Sequence, residues 1–469
     1  MGREAPARAC CRTPAMTDVG RRTSLLTALV AAAVGIAFAD SSIVVLGLPE
    51  LYARFHTSIE GVSWVVTAYN AAVAVSALAL IVFVHRIRAR GILIAGLFVF
   101  FLASLACSLA GSLPFLIAVR CVQGVGAALL LAGALPVLGD LAGSVTRGAA
   151  IWTLAGTFGL ALGPALGGVL TQLFDWRAIF AVQAPVAAVG LIAALAAPRG
   201  AALEEGWRSS LVRTWPANAC LGLLFGALVG VLFLSVLLLI TVWGYSPIAG
   251  AAIVSVLPAA TVLARPLRRR LGGLVATCGG AALMAVGLTA LALLPSASAW
   301  YAGAALVFCG IGLGLAVPAL SDAALDPAAG LARSGTFTVG VRHLGLVLAL
   351  ALIAPLLASR LPAAGDQAKL RATSVLLDAP LGLTTKVPVA LDLANEFERA
   401  RSGEIPDLAK PFDAHGAGSD PKLAATRDTL VGAIEETITR AFRPAFAFSA
   451  ALAALALALA ILFGRRVLE

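Results

Sequence analysis

Ionisable side chains are scarce inside the long apolar runs of this chain, so the few present there stand out as candidates for proton or ion chemistry. Three full charges lie well within such runs: Asp40, Arg120 and Arg342, the last followed by His343. A charge in a low-dielectric interior is costly and tends to mark an ion or substrate pathway. At about 1.5 Å of rise per helical residue, Asp40 and Arg120 fall at matching depth, roughly 10–12 Å below the same edge of their runs. Two readings of the pair stay open. It is a proton switch, in which protonating Asp40 releases Arg120, or it is a buried structural pair that fixes packing. Arg342, close to the end of its run, is shallow enough to snorkel and reads as an anchor or a gating contact with His343. Trp64, Tyr69, Asn70 and Gln123 supply the aromatic and amide groups that suit the lining of an amphipathic ligand's cleft, with core packing as the alternative for each.

The elements that must position these groups follow from composition. Hydrophobic residues make up 60% of the chain and charged residues 12%, and the mean hydropathy is +0.97. That balance implies an all-α polytopic membrane protein. The net charge of +10 does not point to nucleic acid, because most basic residues sit just beyond the ends of apolar runs. Cys107, Cys121, Cys220, Cys278 and Cys309 fall inside apolar runs and Cys10 and Cys11 are adjacent, which gives neither a disulfide framework nor metal-ligand spacing. No phosphate-cradling loop leads into Lys-Ser/Thr, and no His and carboxylate cluster offers a metal site. No catalytic residue, metal or cofactor is therefore expected.

Runs near 20 apolar residues predict twelve spans: 24–48, 62–84, 91–111, 113–138, 149–172, 177–197, 218–242, 246–264, 271–293, 299–320, 336–358 and 443–463. With both termini cytoplasmic, the inner short segments hold 19 Lys and Arg and the outer ones only Arg54 and Arg177. So lopsided a split fixes the expected orientation. The expected organisation is a cytoplasmic tail (1–23), a six-helix bundle (24–197), a basic cytoplasmic linker (198–217) and a second bundle (218–469). Met16 is an alternative start. Residues 359–442, rich in acidic and basic side chains, form an extracytoplasmic insertion between spans 11 and 12. Two helices are expected there, one over Val389–Arg401 and one with Leu430, Ile434, Ile438 and Phe442 on a single face. A small cap and a disordered loop are both compatible with that pattern.

Within the fifth run, Gly156–Leu170 combines the two poorest helix formers, glycine and proline, at regular spacing. Gly159, Gly163 and Gly167 recur every four residues and make a smooth strip for another helix to approach. The full spacing, G-x-x-x-G-P-x-x-G-G, adds Pro164 and Gly168. Other stretches accompany it in chain order. They are Asp40-Ser41-Ser42-Ile43-Val44-Val45-Leu46-Gly47-Leu48-Pro49, Trp64-Val65-Val66-Thr67-Ala68-Tyr69, and Arg120-Cys121-Val122-Gln123-Gly124-Val125-Gly126-Ala127-Ala128. Asp175-Trp176-Arg177-Ala178-Ile179-Phe180, Trp243-Gly244-Tyr245-Ser246-Pro247 and Arg342-His343-Leu344-Gly345 follow.

Together these resemble the drug:proton antiporter (multidrug efflux) branch of the major facilitator superfamily. The likeness lies in its fifth-helix motif, first-helix D-x-x-I-V-x-x-A-L-P, second-helix W-V-x-T-A-Y and fourth-helix R-x-x-Q-G-x-G-A-A. The resemblance implies two six-helix bundles around a cleft, a proton gradient as driving force, and a proton-coupling role for the arginine at 120. Two departures stand out. Relatives in this branch usually have fourteen helices, whereas Pro198–Pro216 is too short and polar for an extra pair. The turn after the second helix, normally G-x-L-x-D-R-x-G-R, reads Ile81-Val82-Phe83-Val84-His85-Arg86-Ile87-Arg88-Ala89-Arg90. His85 replaces the acid that latches the bundles in relatives, so His85 and Arg86 read as an altered gate or as a solvated basic anchor.

The expected function is proton-coupled export of small amphipathic compounds by a monomer in the plasma membrane. Asp40 titrates, Arg120 is its partner, and the glycine strip forms the seam between bundles. Export of an endogenous lipid or secondary metabolite is the alternative substrate class. A non-transporting receptor or scaffold is the alternative of another kind.

Overall fold

The computed structural model describes residues 15–83, 87–198, 208–295, 297–325, 331–399, 408–417 and 420–467, and among them there is no strand. The first half comprises α1 (Ala15–Phe55), α2 (Ile59–Phe83), α3 (Ala89–Ser108), α4 (Leu113–Leu141), α5 (Val145–Leu173), and α6 (Arg177–Ala181) running into α7 (Gln183–Ala196). The second half comprises α8 (Arg208–Val236) with a π-helical turn over Leu237–Val242, α9 (Pro247–Leu263), α10 (Arg265–Arg268), α11 (Gly273–Ala292), α12 (Ala299–Ala324) and α13 (Leu331–Ala358). An inserted unit follows: α14 (Leu361–Asp378), α15 (Leu383–Arg399), α16 (Lys410–Ala414) and α17 (Pro421–Ala441). The last helix is α18 (Arg443–Val467). Twelve stretches among the described residues are long and apolar enough to cross a membrane.

Short polar turns separate the spans and cap them. Ser144 Oγ accepts from the Arg147 amide at the start of α5, and Ser246 Oγ accepts from the Ala249 amide, with Pro247 at the first turn of α9. Both caps satisfy donors that have no partner inside the helix. Several helices outrun their expected spans. The first continues through Pro49 to Phe55, past residue 48. The expected linker 198–217 is partly helix, since α8 begins at Arg208 and carries Pro216 within it. Trp215 there packs edge-on against Phe463, with centroids 5.2 Å apart.

The glycine strip lies where it was expected but faces another neighbour. A side chain at Gly159 would strike the Gly35 carbonyl and one at Gly163 the Ser42 hydroxyl. At Gly167 the added carbon would stand 2.6 Å from the Ile43 carbonyl. All three therefore seat α1 against α5 inside the first bundle, a correction to the expected seam between bundles. The physical reason is spacing: a four-residue period keeps one face toward one partner. Only Gly168, one position around the helix, meets the other half, where a side chain would collide with Ala251 and stand 2.7 Å from the Pro247 carbonyl. Gln172 Oε1 accepts from the Ile248 amide beside it, at 2.9 Å. The halves thus close on each other at this end, and α2 adjoins α13 as a second line of contact.

The described part of the inserted segment is folded. Ala364, Ala368, Ala372 and Leu376 of α14 are buried, and so are Leu423, Leu430, Ile434 and Ile438 of α17, the two helices packing together. Trp243 Nε1 donates to Thr439 Oγ1 at 2.9 Å, which ties this cap to the end of the π-helical turn.

Candidate functional site

Asp40 and Arg120 meet. Arg120 Nη1 lies 2.6 Å from Asp40 Oδ2, and both side chains are fully buried. Glycines make that approach possible. Gly124 of α4 abuts the Tyr69 carbonyl, and a side chain at Gly126 would stand 2.6 Å from the Phe100 amide nitrogen, so α4 is drawn tightly against α2 and α3. The guanidinium is fixed on three more sides. Its Nε donates to the Val65 carbonyl at 2.9 Å, its Nη1 also donates to Gln123 Oε1 at 2.8 Å, and its carbon sits 4.2 Å from the Tyr69 ring centre. Such a stack adds cation–π attraction to the ion pair.

The second carboxylate oxygen has its own donor, since Gln183 Nε2 lies 2.7 Å from Asp40 Oδ1. Gln123 Nε2 donates to Gln183 Oε1 at 2.8 Å and to Ser104 Oγ at 3.0 Å. The result is a closed polar network threading α1, α2, α3, α4 and α7 within an apolar interior. Arg120 Nη2 is buried without a hydrogen-bond partner among the described residues, so the network lacks one acceptor. Removing one member of a buried ion pair costs about 3–5 kcal/mol because the other charge is stranded.

A cavity of about 670 Å3 lies between the halves, within the size range of small-molecule sites. It begins among Val145 and Thr146 of α5, Arg265 of α10 and Arg269 just after it, and Asp322 of α12, and reaches Phe38, Phe225 and Arg342 at its deep end. It opens at the end of the bundle opposite the cap, where the Gly168–Pro247 contact closes the halves. Pro164 lines it, as do Trp152 and Gly156.

The expected site residues separate into groups. Tyr69 and Gln123 belong to the ion-pair network. Asn70 is buried beside it, accepting from Ser41 Oγ at 3.1 Å. Trp64 is exposed on the bundle surface. None of the four lines the cavity: three face the interior of the first bundle, and the expected cleft lining comes instead from α1, α5, α8, α9, α12 and α13. Arg342 and His343 are buried within the bundle rather than at a surface, both next to Phe38: the guanidinium carbon is 5.0 Å from that ring's centre and the imidazole stacks on it at 6.5 Å. His85 and Arg86 lie outside the described residues. Gln183, which grips Asp40, was missed by sequence reasoning, although it is the one amide in the apolar run 177–197. Phe38 and Phe225 gave no signal among so many apolar neighbours.

A profile of the Major Facilitator Superfamily matches residues 30–350. Multidrug resistance protein Stp of Mycobacterium tuberculosis is 34% identical over 179 residues, covering 37% of this chain and 33% of that protein. The methylenomycin A resistance protein of Bacillus subtilis is 33% identical over 174 residues, covering 36% and 37%. These matches span about a third of each curated relative. Among solved structures, a bacterial homolog of the human lysosomal transporter Spinster, inward-facing and unoccupied, aligns with a TM-score of 0.63 at 17% identity over 95% of this chain and 98% of its own. The D-xylose-proton symporter aligns at 0.58 and 16% identity over 70% and 89%. The profile spans most of both six-helix halves, and the fold agrees across nearly the whole length: this chain is a multi-pass membrane protein and belongs to the Major Facilitator Superfamily.

Proposed function

We propose that this protein exports small amphipathic compounds in exchange for protons, as a monomer in the plasma membrane with both termini cytoplasmic. It is a carrier rather than an enzyme. The single observation that carries the reading is one turn of α1. There Asp40 enters the buried Arg120 network while Phe38 lines the cavity and Ser41 the smaller pocket adjoining it. A change of charge at Asp40 therefore acts on the same helical turn that touches cargo.

Protonating Asp40 removes the charge that holds Arg120 Nη1, while the Val65 carbonyl and Gln123 keep the guanidinium solvated. The hold between α1 and α4 weakens, and α1 is free to move with the α5 surface on which the glycines seat it. Loss of the proton restores the clamp. The names of the drug-resistance relatives support small-molecule cargo, and the arginine-rich mouth supports a cavity open to the cytoplasm. No observation favours a receptor or scaffold.

The test is uptake into inside-out vesicles under an imposed pH gradient. Wild-type protein should accumulate an amphipathic compound, and Asp40→Asn should abolish accumulation while the protein remains inserted and monodisperse. Full transport by Asp40→Asn would remove Asp40 from the mechanism.

A further inference from the structure

The cavity wall is mostly apolar, yet its charges are lopsided. Four arginines among the described lining residues, Arg265, Arg268, Arg269 and Arg342, face one acid, Asp322. That acid already has a partner, because Arg268 Nη2 lies 3.7 Å from its Oδ2. Arg265, Arg268 and Arg269 sit at the mouth, where basic residues also serve to fix a membrane protein's orientation.

Arg342 has no such explanation. It lies at the deep end, with only 8% of its surface exposed. Its Nε is buried without a partner, and no described residue offers the guanidinium a hydrogen bond or a carboxylate. What surrounds it is aromatic: the guanidinium carbon is 3.9 Å from the Phe225 ring centre and 5.0 Å from that of Phe38. Ring faces attract a cation but accept none of its in-plane N–H donors, and Arg342 lines both the cavity and the adjoining pocket. Beside it, His343 lines the adjoining pocket with both ring nitrogens unpartnered among the described residues. A buried guanidinium without an acceptor is a costly arrangement that a bound anion relieves.

We infer that the cargo is an amphipathic anion. Its apolar body lies in the cavity between α5, α9 and α12, and one carboxylate, sulfonate or phosphate head is taken by Arg342, with His343 as a second donor. The inference deepens the export reading and rests on it for the direction of transport, but the binding site does not depend on proton coupling. A soluble aromatic acid and a lipid with a single anionic head share this chemistry.

The experiment is equilibrium binding of radiolabelled 1-naphthylacetate to the full chain in neutral phosphatidylcholine nanodiscs. Unlabelled 1-naphthyl phosphate, 1-naphthaleneethanol, 1-naphthylmethylammonium and lysophosphatidate serve as competitors. The acids should compete at least about tenfold better than the alcohol or the ammonium compound, the factor expected for a charge-assisted hydrogen bond. Arg342→Gln should reduce that preference to under about threefold, and Arg342→Lys should keep an intermediate preference, because it keeps the charge but loses the fork. Displacement by lysophosphatidate at lower concentration than the naphthyl acids assigns the cargo to lipid, and the reverse order assigns it to soluble acids. Asp40→Asn separates the two readings: it should lose proton-driven export and retain the preference for acids. The inference is overturned if the ammonium compound competes as well as the acids or if none of the probes binds. Full preference in a monodisperse Arg342→Gln protein overturns it equally.

Discussion

Asp40 is gripped from two helices at once, by Arg120 on α4 and by Gln183 on α7, and each donor holds a different carboxylate oxygen. The amide is more than filler. It also accepts from Gln123, which in turn accepts from Arg120, so the four side chains form a ring. Hydrogen bonds to charged groups contribute about 1.5–3 kcal/mol each. Gln183→Leu should therefore lower proton-driven export by about tenfold or more, with little change in cargo binding, since Gln183 does not line the cavity. Unaltered export in that variant would show that the Arg120 contact alone sets the coupling. At this scale the sequence was informative about charges and poor about amides. A lone Asp and a lone Arg are conspicuous in apolar runs, and their equal depth follows from counting residues. Which face each presents does not, because the first and fourth runs are apolar all round and carry no stripe to orient them. Trp64 and Tyr69 illustrate the limit: five residues apart on α2, one is exposed and the other lies under Arg120.

The first bundle depends on α1 lying directly on α5. Gly159 and Gly163 leave no room for any side chain there. Gly159→Val should force the helices apart and destabilise the protein by about 1–3 kcal/mol, as overpacking does, seen as a lower melting temperature in detergent. Gly91→Ala is the control, since nothing lies within 4 Å of a carbon added there. It should leave the melting temperature unchanged or raise it, because alanine favours helix by roughly 1 kcal/mol over glycine. Equal effects of the two would contradict the packing described. The spans themselves were legible because a run of about 20 apolar residues admits few other fates. Their ends were not. α1 and α8 continue beyond lipid-matched length into polar sequence, where hydropathy no longer reports on helix. In the cap, α14 escaped notice because its buried face is largely alanine, at 364, 368 and 372. Helix α15 begins at Leu383 rather than Val389, with Pro388 in its interior.

As a whole, the molecule is held shut at the cap end and open at the other. The closed end rests on Gly168 against Pro247 and Ala251, and on Gln172 accepting from the Ile248 amide. If the halves rock to expose the cavity alternately, this contact must break in every cycle. A Gln172→Cys, Ile248→Cys double variant joined by a short thiol-specific cross-linker should lose transport and regain it when a cleavable linker is reduced. Undiminished transport in the cross-linked protein would contradict rocking about this seam. The two-bundle architecture was legible from the paired sets of six spans, whereas the direction each glycine faces was not. Residue spacing identifies a strip but not the neighbour that occupies it.

Whether charge at Asp40 is tied to cargo movement is tested most directly by proton flux in reconstituted vesicles, read with a trapped pH-sensitive dye. With no imposed pH gradient, adding cargo to wild-type protein should drive protons across the membrane in the opposite direction, and Asp40→Asn should show cargo binding without that flux. Cargo-driven proton movement of wild-type size in Asp40→Asn would contradict the coupling scheme.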